Sequence, residues 1–306
     1  KEIKRMNYDI IHFHDLTTAV SPYTLMLLSK KIPVVWTLHD CSSFTGGCIY
    51  PMDCNNYFSG CYNCPLKNQW PFGRNFDFAF LFFKLKKKLH LNKLYLLAPS
   101  NWLIESAQKN NIIKNPIHYV SNGVDIDIYK QLDKKLARKK RGIDPDRFII
   151  LLTAGNIADK RKGIDFSLDT LQKLKKLNCE FLLLIVGTLD YPTEQLFSEF
   201  DYYKAGYISD EKELNLCYSM ADIFLNCSIQ DNQPLVVLET MASGTPTVGF
   251  ETGGIPEMII QNNTGFLVSN QDTNLLAEKI KEIKETKIYE NWSLNCSNLA
   301  RNKFTH

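Results

Sequence analysis

Short, continuous apolar runs alternate along this chain with longer segments of helical periodicity, and the alternation occurs in two successive blocks. Such runs are typical of parallel β-strands that are covered by helices on both faces. The candidate strands of the first block are 9–14, 33–38, 94–98 and 117–120, and those of the second are 148–153, 181–186, 222–226, 247–250 and 265–268. The pattern predicts an α/β protein with two doubly wound domains.

The length of 306 residues also favours two domains, since it exceeds what one hydrophobic core usually serves. We predict a first domain at 1–124, a linker at 125–147 and a second domain at 148–285. The linker segment is polar, carries a basic run and ends in Gly142 and Pro145. Residues 286–306 are expected to form a C-terminal helix that could pack back on the first domain.

Composition narrows the function classes. Thirty-six Lys and Arg against 33 Asp and Glu give a formal charge of +3, which offers no support for nucleic-acid binding. No apolar run approaches the ~20 residues that span a bilayer, so we expect a chain that is soluble or attached to a membrane surface. The chain starts with Lys1 and runs almost at once into the apolar segment 9–14, and we therefore expect a fragment whose first domain is incomplete.

The segment 231–257 carries the clearest helix signals. Asp231 is a good N-cap, Pro234 is tolerated in a first turn, 235–242 propagate a helix, and Gly244 suits the C′ position. If Asp231 lies in the loop before the helix, Asp231 and Glu239 can hold opposite ends of an elongated ligand across the helix start. A phosphate would meet the free N–H groups there. In the alternative interpretation Asp231 only caps the helix and Glu239 is solvated.

A second segment, Gly155 to Gly163, follows the first strand of the second block and precedes its first helix. Open α/β sheets bind ligands at this position. Lys160, Arg161 and Lys162 could neutralise a diphosphate there, and the two glycines allow close backbone approach. A solvated loop would have the same composition.

The order of these motifs resembles the donor domain of retaining GT-B glycosyltransferases of family 4. The motifs are Gly155, Arg161-Lys162-Gly163, Val186-Gly187, Ala221-Asp222, Asp231-x7-Glu239 and Gly253-Gly254. The first block adds Thr37-Leu-His-Asp40, Ala98-Pro-Ser-Asn-Trp102 and Asn122-Gly-Val-Asp125. The resemblance is closest to colanic-acid and capsule-type transferases, because of the segment from His39 to Cys48. It covers roughly residues 9–280.

The resemblance implies two Rossmann-like domains that face each other across a cleft. It also implies transfer of a sugar from a nucleotide diphosphate to an acceptor hydroxyl, with retention and without a required metal or cofactor. Lys162 matches the lysine that compensates the leaving diphosphate, with Arg161 beside it. Asp231 takes the place of the acid that faces the donor sugar, Glu239 matches the acid that holds the ribose, and His39 matches a histidine near the transferring sugar. The other donor-binding positions are Gly155, Asn156, Gly187, Asn232, Leu235, Gly253 and Gly254.

Two positions depart from the family pattern. Asp replaces Glu at 231, which shortens the side chain by one methylene, and Asn156 stands where many relatives have an arginine. The second departure leaves open how the compensating charge is divided between Arg161 and Lys162.

The implied role is in cytoplasmic biosynthesis of a surface polysaccharide, with a nucleotide sugar and a glycan or lipid-linked acceptor as partners and no nucleic acid. Segment 78–93 begins with aromatic residues and continues with basic residues. On a helix it could lie on an anionic membrane surface, on the inner face of the cytoplasmic membrane, or it could be a core helix with a solvated face.

Nine cysteines are present, an odd number that favours a reducing compartment in a large α/β chain. The spacing Cys48-x5-Cys54-x6-Cys61-x2-Cys64 allows a tetrahedral structural zinc site. Free buried thiols and disulfides within the cluster are the alternatives.

Two other function classes compete with the transferase. One is a sugar-nucleotide epimerase or phosphorylase on the same architecture, although we find no pyridoxal lysine site. The other is a binding module without catalysis, in which the cysteine loop is a zinc knuckle. His12 and His14 lie on a candidate strand, and we expect them to be packed side chains rather than catalytic groups.

Overall fold

The computed structural model describes residues 8–14, 21–68, 77–88, 94–110 and 112–305. Its contacts divide the chain into two compact units, Lys1–Ser121 and Asn122–His306. We call these the first and the second unit. Each contains a parallel β-sheet with helices between its strands, as the continuous apolar runs predict.

The first unit has a four-stranded sheet in the order β1-β2-β3-β4. The strands are β1 (Ile11–Phe13), β2 (Val34–Thr37), β3 (Leu94–Ala98) and β4 (Ile117–Tyr119), and all neighbours are parallel. Its described helices are α1 (Pro22–Ser29), α2 (Ala79–Lys88) and α3 (Asn101–Gln108). One hydrophobic cluster packs these elements together and includes Cys41, Cys61 and Cys64 of the long loop after β2.

The second unit has a six-stranded parallel sheet in the order β10-β9-β8-β5-β6-β7. The strands are β5 (Ile149–Asn156), β6 (Leu182–Thr188), β7 (Tyr202–Gly206), β8 (Ile223–Asn226), β9 (Thr247–Phe250) and β10 (Gly265–Val268). The helices are α4 (Lys134–Lys140), α5 (Ile164–Lys176), α6 (Tyr191–Gln195), α7 (Glu211–Met220), α8 (Leu235–Ala242), α9 (Thr273–Thr286) and α10 (Tyr289–Lys303).

Strand β5 shows why its apolar run is continuous. Ile149 and Leu151 belong to the core on one face of the sheet, whereas Ile150 and Leu152 belong to the core on the other. Both faces are covered, so every side chain of this stretch is buried. Each such side chain contributes roughly 1.5–3 kcal/mol of hydrophobic burial.

Strand β7 is absent from the sequence-based strand assignment. It forms the edge of the sheet and pairs with β6 only, and its residues are half-buried or exposed. Its sequence, Tyr-Tyr-Lys-Ala-Gly, therefore contains a lysine and lacks the continuous apolar run that identifies the inner strands.

The segment 125–147 differs from the predicted linker. The contact boundary falls after Ser121, and α4 packs against α7 inside the second unit. Arg138 on α4 is buried, its Nη2 lies 2.8 Å from Asp222 Oδ2, and its Nε donates to Met220 O at 2.9 Å. A basic run that resembles a solvated linker thus contains one buried, paired arginine.

The C-terminal helix α10 packs against α8 and β10 of the second unit. Val124 N, near the start of this unit, donates to Phe304 O just after that helix. Of the helices in the described ranges, none is long and apolar enough to cross a lipid bilayer.

Candidate functional site

The candidate site lies at the carboxyl ends of β5, β6, β8 and β9. Strand β5 is central, with β6 and β7 on one side and β8, β9 and β10 on the other. Ligands of open parallel sheets bind where the strand order reverses in this way. The loops after β5, β8 and β9 carry most of the residues that the sequence singles out.

The loop after β5 packs directly on the loop after β8. It contains a short 3-10 turn at Lys160–Lys162 and ends at Gly163, whose φ is 71°. A Cβ added to Gly163 would lie 1.8 Å from Cys227 O, so no larger residue fits. Ile229 N also donates to Arg161 O at 2.9 Å. These contacts fix the cationic turn against the chain that leads to Asp231.

Asp231 forms ion pairs with two cations of that turn, Arg161 and Lys162. Its Oδ2 lies 2.5 Å from Lys162 Nζ and 3.2 Å from Arg161 Nη1, and its side chain is only 8% exposed. Arg161 Nη1 also donates to Gln230 O at 3.1 Å. The structure therefore brings together three residues that the sequence analysis placed in the catalytic group.

The electrostatic balance keeps Asp231 ionised. Burial alone would raise the pKa of Asp231, but the positive charges of Lys162 and Arg161 outweigh it and lower the pKa. Asp159 also lies 3.5 Å from Arg161 Nη2. Arg161 and Lys162 pair with these two carboxylates, whereas Lys160 of the same turn is exposed, so the turn keeps an excess positive charge.

Asp231 is not the N-cap of helix α8, which corrects the capping interpretation. The N-cap position belongs to Pro234, which makes no side-chain capping bond, and the helix starts at Leu235. Asp231 lies in the preceding loop, as the ligand-binding interpretation requires. At the other end Gly244 follows the helix with φ 79°, as predicted.

The Gly253-Gly254 pair closes on the backbone of Asp231. Gly254 N donates to Asp231 O at 3.0 Å. Gly253 has φ 58°, and a Cβ there would lie 1.7 Å from the same carbonyl oxygen. The two glycines thus hold the loop that carries Asp231 in place. A residue with a side chain at position 253 would clash with that loop.

The pKa of Glu239 on α8 is shifted in the opposite direction from that of Asp231. It is half-buried, and burial raises its pKa to about 7, against a hydrogen bond from Tyr218 that acts to lower it. Tyr218 Oη donates to Glu239 Oε2 at 3.4 Å. In the described part of the chain no Lys or Arg forms an ion pair with Glu239, which leaves this carboxylate to hydrogen-bond a ligand.

Three other predicted donor-binding residues shape the loops. A Cβ at Gly155 would meet nothing within 4 Å, so this position borders open space. Asn156 Oδ1 accepts from Ala158 N at 3.0 Å and caps its own turn. Gly187 has φ 134°, and a Cβ there would lie 1.8 Å from Ala154 O, so it serves the contact between β5 and β6.

The remaining two predicted donor-binding residues are Asn232, which lies beside Asp231, and Leu235, which lies at the start of α8. Asn232 is buried, and its backbone N–H donates to Asp231 Oδ1 at 3.1 Å. Leu235, the first residue of α8, is 51% exposed.

Sequence reasoning missed Gln233 and the tyrosines near Glu239. Asn122 N donates to Gln233 Oε1 at 2.6 Å, and Asn122 Nδ2 donates to Gln233 O at 3.0 Å. The motif at Asn122 was visible in the sequence, but its partner was not. Tyr218 is buried beside Glu239 and stacks on Tyr129 with ring centroids 6.2 Å apart.

His39 belongs to the first unit, where it follows β2 and is half-buried. His14 follows β1, and its Nδ1 lies 3.0 Å from His39 Nε2. His12 Nε2 lies 2.8 Å from Thr37 Oγ1. His12 and His14 are exposed, which corrects the expectation that both are packed side chains.

The cysteine loop brings four predicted ligands around one cavity. Cys48, Cys54, Cys61 and Cys64 all line it. All nine cysteines are free thiols, so no disulfide forms within the cluster. In the described ranges, no three His, Cys, Asp or Glu side chains are already arranged to hold a metal ion.

Helix α2 covers the described part of segment 78–93, and 89–93 lie outside the described residues. Ala79 and Phe83 face the core. The exposed apolar side chains follow helical spacing and are Phe78, Leu81, Phe82 and Leu85. Lys84, Lys87 and Lys88 are exposed around them. The helix therefore presents an apolar stripe with a basic border.

Two protein families match this chain. The family described as Glycosyltransferase Family 4 matches residues 1–128, and Glycosyl transferases group 1 matches residues 149–285. Between them they cover the first unit and most of the second, including the cationic turn, Asp231 and Glu239.

Relatives that extend over most of the chain include the following two proteins. An uncharacterized 41.2 kDa protein in the cps region of Klebsiella pneumoniae is 24% identical, over 99% of this chain and 77% of its own length. A putative colanic acid biosynthesis glycosyl transferase, WcaC of Escherichia coli, is also 24% identical, over 89% of this chain and 67% of its own length.

Solved structures match the fold. Sucrose-phosphate synthase from Thermosynechococcus elongatus has a TM-score of 0.75 at 20% identity, over 99% of this chain and 71% of that one. Anabaena HepE in complex with UDP and glucose has a TM-score of 0.66 at 19% identity, over 97% of this chain and 74% of that one. These likenesses identify the architecture as GT-B.

Proposed function

This chain belongs to the family 4 glycosyltransferases of the GT-B fold, and we propose that it transfers a sugar from a nucleotide diphosphate to an acceptor hydroxyl with retention. The observation that carries the proposal is the cationic turn held by Asp231 at the carboxyl end of β5. One of the similar solved structures, Anabaena HepE, is a complex with UDP and glucose, which supports a nucleotide-sugar donor.

The reaction breaks a sugar–phosphate bond. Negative charge grows on the departing phosphate oxygens while the sugar becomes oxocarbenium-like, so fixed cations stabilise the transition state more than the ground state. In this proposal Lys162 and Arg161 move from Asp231 to the diphosphate, and the amide groups at the start of α8 add partial positive charge.

The two acids take different parts of the donor. Asp231, which its two cations keep ionised in the chain without donor, faces the sugar as the charge of the sugar becomes positive. Glu239 accepts hydrogen bonds from the ribose hydroxyls, a role that suits a carboxylate without a bound cation. We extend the proposal to His39, which matches a family histidine that acts near the transferring sugar, with His14 holding the imidazole through their 3.0 Å contact.

The acceptor side of the proposal rests on the relatives. One carries a colanic acid biosynthesis name and another is encoded in a cps region. We therefore propose a role in surface polysaccharide biosynthesis, with a glycan or lipid-linked acceptor, in the cytoplasm. The apolar stripe and basic border of α2 support contact with an anionic membrane surface.

A product assay tests the activity. The chain is incubated with UDP-, GDP- and ADP-sugars and candidate acceptors, and NMR determines the anomeric configuration of the product. A product with the donor's configuration supports the proposal. Epimerised donor without transfer would instead support the epimerase class, and an inverted product would exclude retention.

Vesicle binding tests the membrane contact separately. We expect the chain to cosediment with vesicles that contain anionic phosphatidylglycerol and not with neutral phosphatidylcholine vesicles. Phe82→Asp on the apolar stripe should abolish cosedimentation, whereas Leu275→Asp, at an exposed position of α9, should not. Equal loss in both variants would argue against α2 as the contact surface.

A further inference from the structure

The cavity in the cysteine loop has the size of a single bound atom or water. Its volume is ≈ 10 Å³. Cys48, Cys61 and Cys64 are buried and Cys54 is half-buried, and no charged side chain lines the cavity. The four thiols that line this small space are a set of soft ligands, in addition to the core packing of Cys61 and Cys64.

Backbone amides point at two of the sulfurs. Gly46 N donates to Cys61 Sγ at 3.0 Å, and Leu66 N donates to Cys64. Hydrogen bonds of this kind orient the ligand atoms of a metal site. The approach of Gly46 depends on its lack of a side chain, because a Cβ there would lie 2.6 Å from Ala79 O.

The loop also carries backbone strain. Met52, Cys61 and Asn63 have φ values of 52°, 58° and 50°. Left-handed backbone is uncommon for residues other than glycine and costs free energy, most clearly for Met and Cys. Such conformations persist where additional bonds hold them, and a metal that links four positions of the loop would supply those bonds.

A lysine contacts the loop that carries the thiols. Lys86 of α2 donates from Nζ to Ser42 O at 2.5 Å and to Thr45 O at 2.9 Å. Thr45 also donates from Oγ1 to Cys48 O at 2.9 Å, so Lys86 contacts the turn that carries Cys48. An ion coordinated by four thiolates carries a net charge of −2, so an enclosed ammonium group is the complement that such a site needs.

We propose that Cys48, Cys54, Cys61 and Cys64 bind one structural Zn²⁺ through their four sulfurs. Each thiol releases one proton, and four S–Zn bonds replace four S–H bonds, so Zn²⁺ enters and four protons leave. The sulfurs are not yet arranged as a closed site. Binding draws them to the ~2.3 Å Zn–S distance of tetrahedral sites, and this coupling stabilises the loop.

Metal analysis of the full chain, purified in reductant without added metal, tests the site. We expect about one zinc per chain and, under native conditions, protection of four thiols that a chelator makes reactive. Cobalt substitution should give the absorption of tetrahedral thiolate coordination. These measurements use the unaltered chain, so they remain decisive even if a cysteine variant fails to fold.

Variants assign the ligands. The double change Cys61→Ser and Cys64→Ser should abolish zinc binding. Cys41→Ser is the matched control, because Cys41 is buried in the same loop without lining the cavity, and it should keep the metal. Reactive thiols without zinc, iron in place of zinc, a disulfide within the cluster, or equal zinc loss in Cys41→Ser would each overturn the proposal.

Discussion

Lys162 Nζ and Asp231 Oδ2 lie 2.5 Å apart, although 69 positions separate the two residues in the sequence. In the proposed mechanism they serve different parts of the donor, Lys162 the diphosphate and Asp231 the sugar. In the chain without a donor, the pairing with Asp231 holds the side chains of Arg161 and Lys162 in place. Less free energy is then needed to order these side chains when the donor binds. It also makes the diphosphate a competitor of Asp231 for Lys162.

Replacing Lys162 by Ala should lower the turnover number by roughly 10²–10³, because its charge is needed most as the diphosphate leaves. The affinity for the bare nucleotide diphosphate should change much less, because Lys162 gives up its pairing with Asp231 when it contacts the diphosphate. Steady-state kinetics and calorimetry measure the two quantities. Lys176→Ala, at an exposed position in the last turn of α5, is the control. An unchanged turnover number for Lys162→Ala would remove this residue from the catalytic role.

Most of the fold was predictable because burial leaves a clear trace in the sequence. Strands covered on both faces need apolar residues at every position, as β5 and β6 show, and helix α5 buries Ile164, Leu171 and Leu174 on one stripe. The limits of α8 followed from Gly244 and from the run after Pro234. GT-B architecture followed from the resemblance and is confirmed by the solved structures.

The remaining features depend on partners that are distant in sequence. Arg138 is indistinguishable from its solvated neighbours until Asp222 is seen beside it. Edge strand β7 lacks a buried second face, and Gln233 gains its meaning only from Asn122. The charge state of Glu239 likewise follows from the burial that α7 and α8 create around it, which no local pattern encodes.

Nucleotide binding should depend on pH through Glu239. Burial raises its pKa to about 7, so the free chain carries the protonated acid below that pH and the carboxylate above it. Ribose hydroxyls donate to the carboxylate, and the affinity for the nucleotide diphosphate should therefore rise between pH 6 and pH 8. Calorimetry at several pH values measures the change.

Glu239→Gln is the control for that pH dependence, because it keeps the shape of the side chain and cannot ionise. We expect weaker binding by this variant at pH 8 and a flatter profile. If the parent and the variant show the same profile, Glu239 does not hold the ribose through its carboxylate.

Two glycines of the loop after β5 should respond differently to substitution. Gly163→Ala places a Cβ against Cys227 O at a φ of 71°, and it should lower the unfolding free energy by at least ~1–3 kcal/mol. Gly155→Ala meets no atom within 4 Å and should leave stability unchanged, while it weakens nucleotide binding if the diphosphate occupies that space. Chemical denaturation and calorimetry separate the two effects. Equal stability of both variants would contradict the steric argument.

Arg138→Ala should be the most destabilising of these changes, and through the fold rather than the chemistry. The guanidinium donates to Asp222, Met220 O, Pro145 O and Arg147 O, and thereby ties α4 to the start of β5. Removal leaves Asp222 buried with a weaker complement of positive charge, and loss of one partner of a buried pair typically costs ~3–5 kcal/mol.

Urea denaturation of the full chain measures that loss, and Lys135→Ala is the matched control. Lys135 lies on the same helix and pairs with Asp146 at 2.6 Å, but both side chains are exposed, so solvent screens the pair and no measurable change is expected. Below the unfolding transition, Arg138→Ala should bind the nucleotide diphosphate like the parent, because none of its contacts involves the cationic turn, Asp231 or Glu239. A variant with parental stability would show that Lys134, whose Nζ lies 2.9 Å from Asp222 Oδ1, is sufficient to neutralise the buried carboxylate.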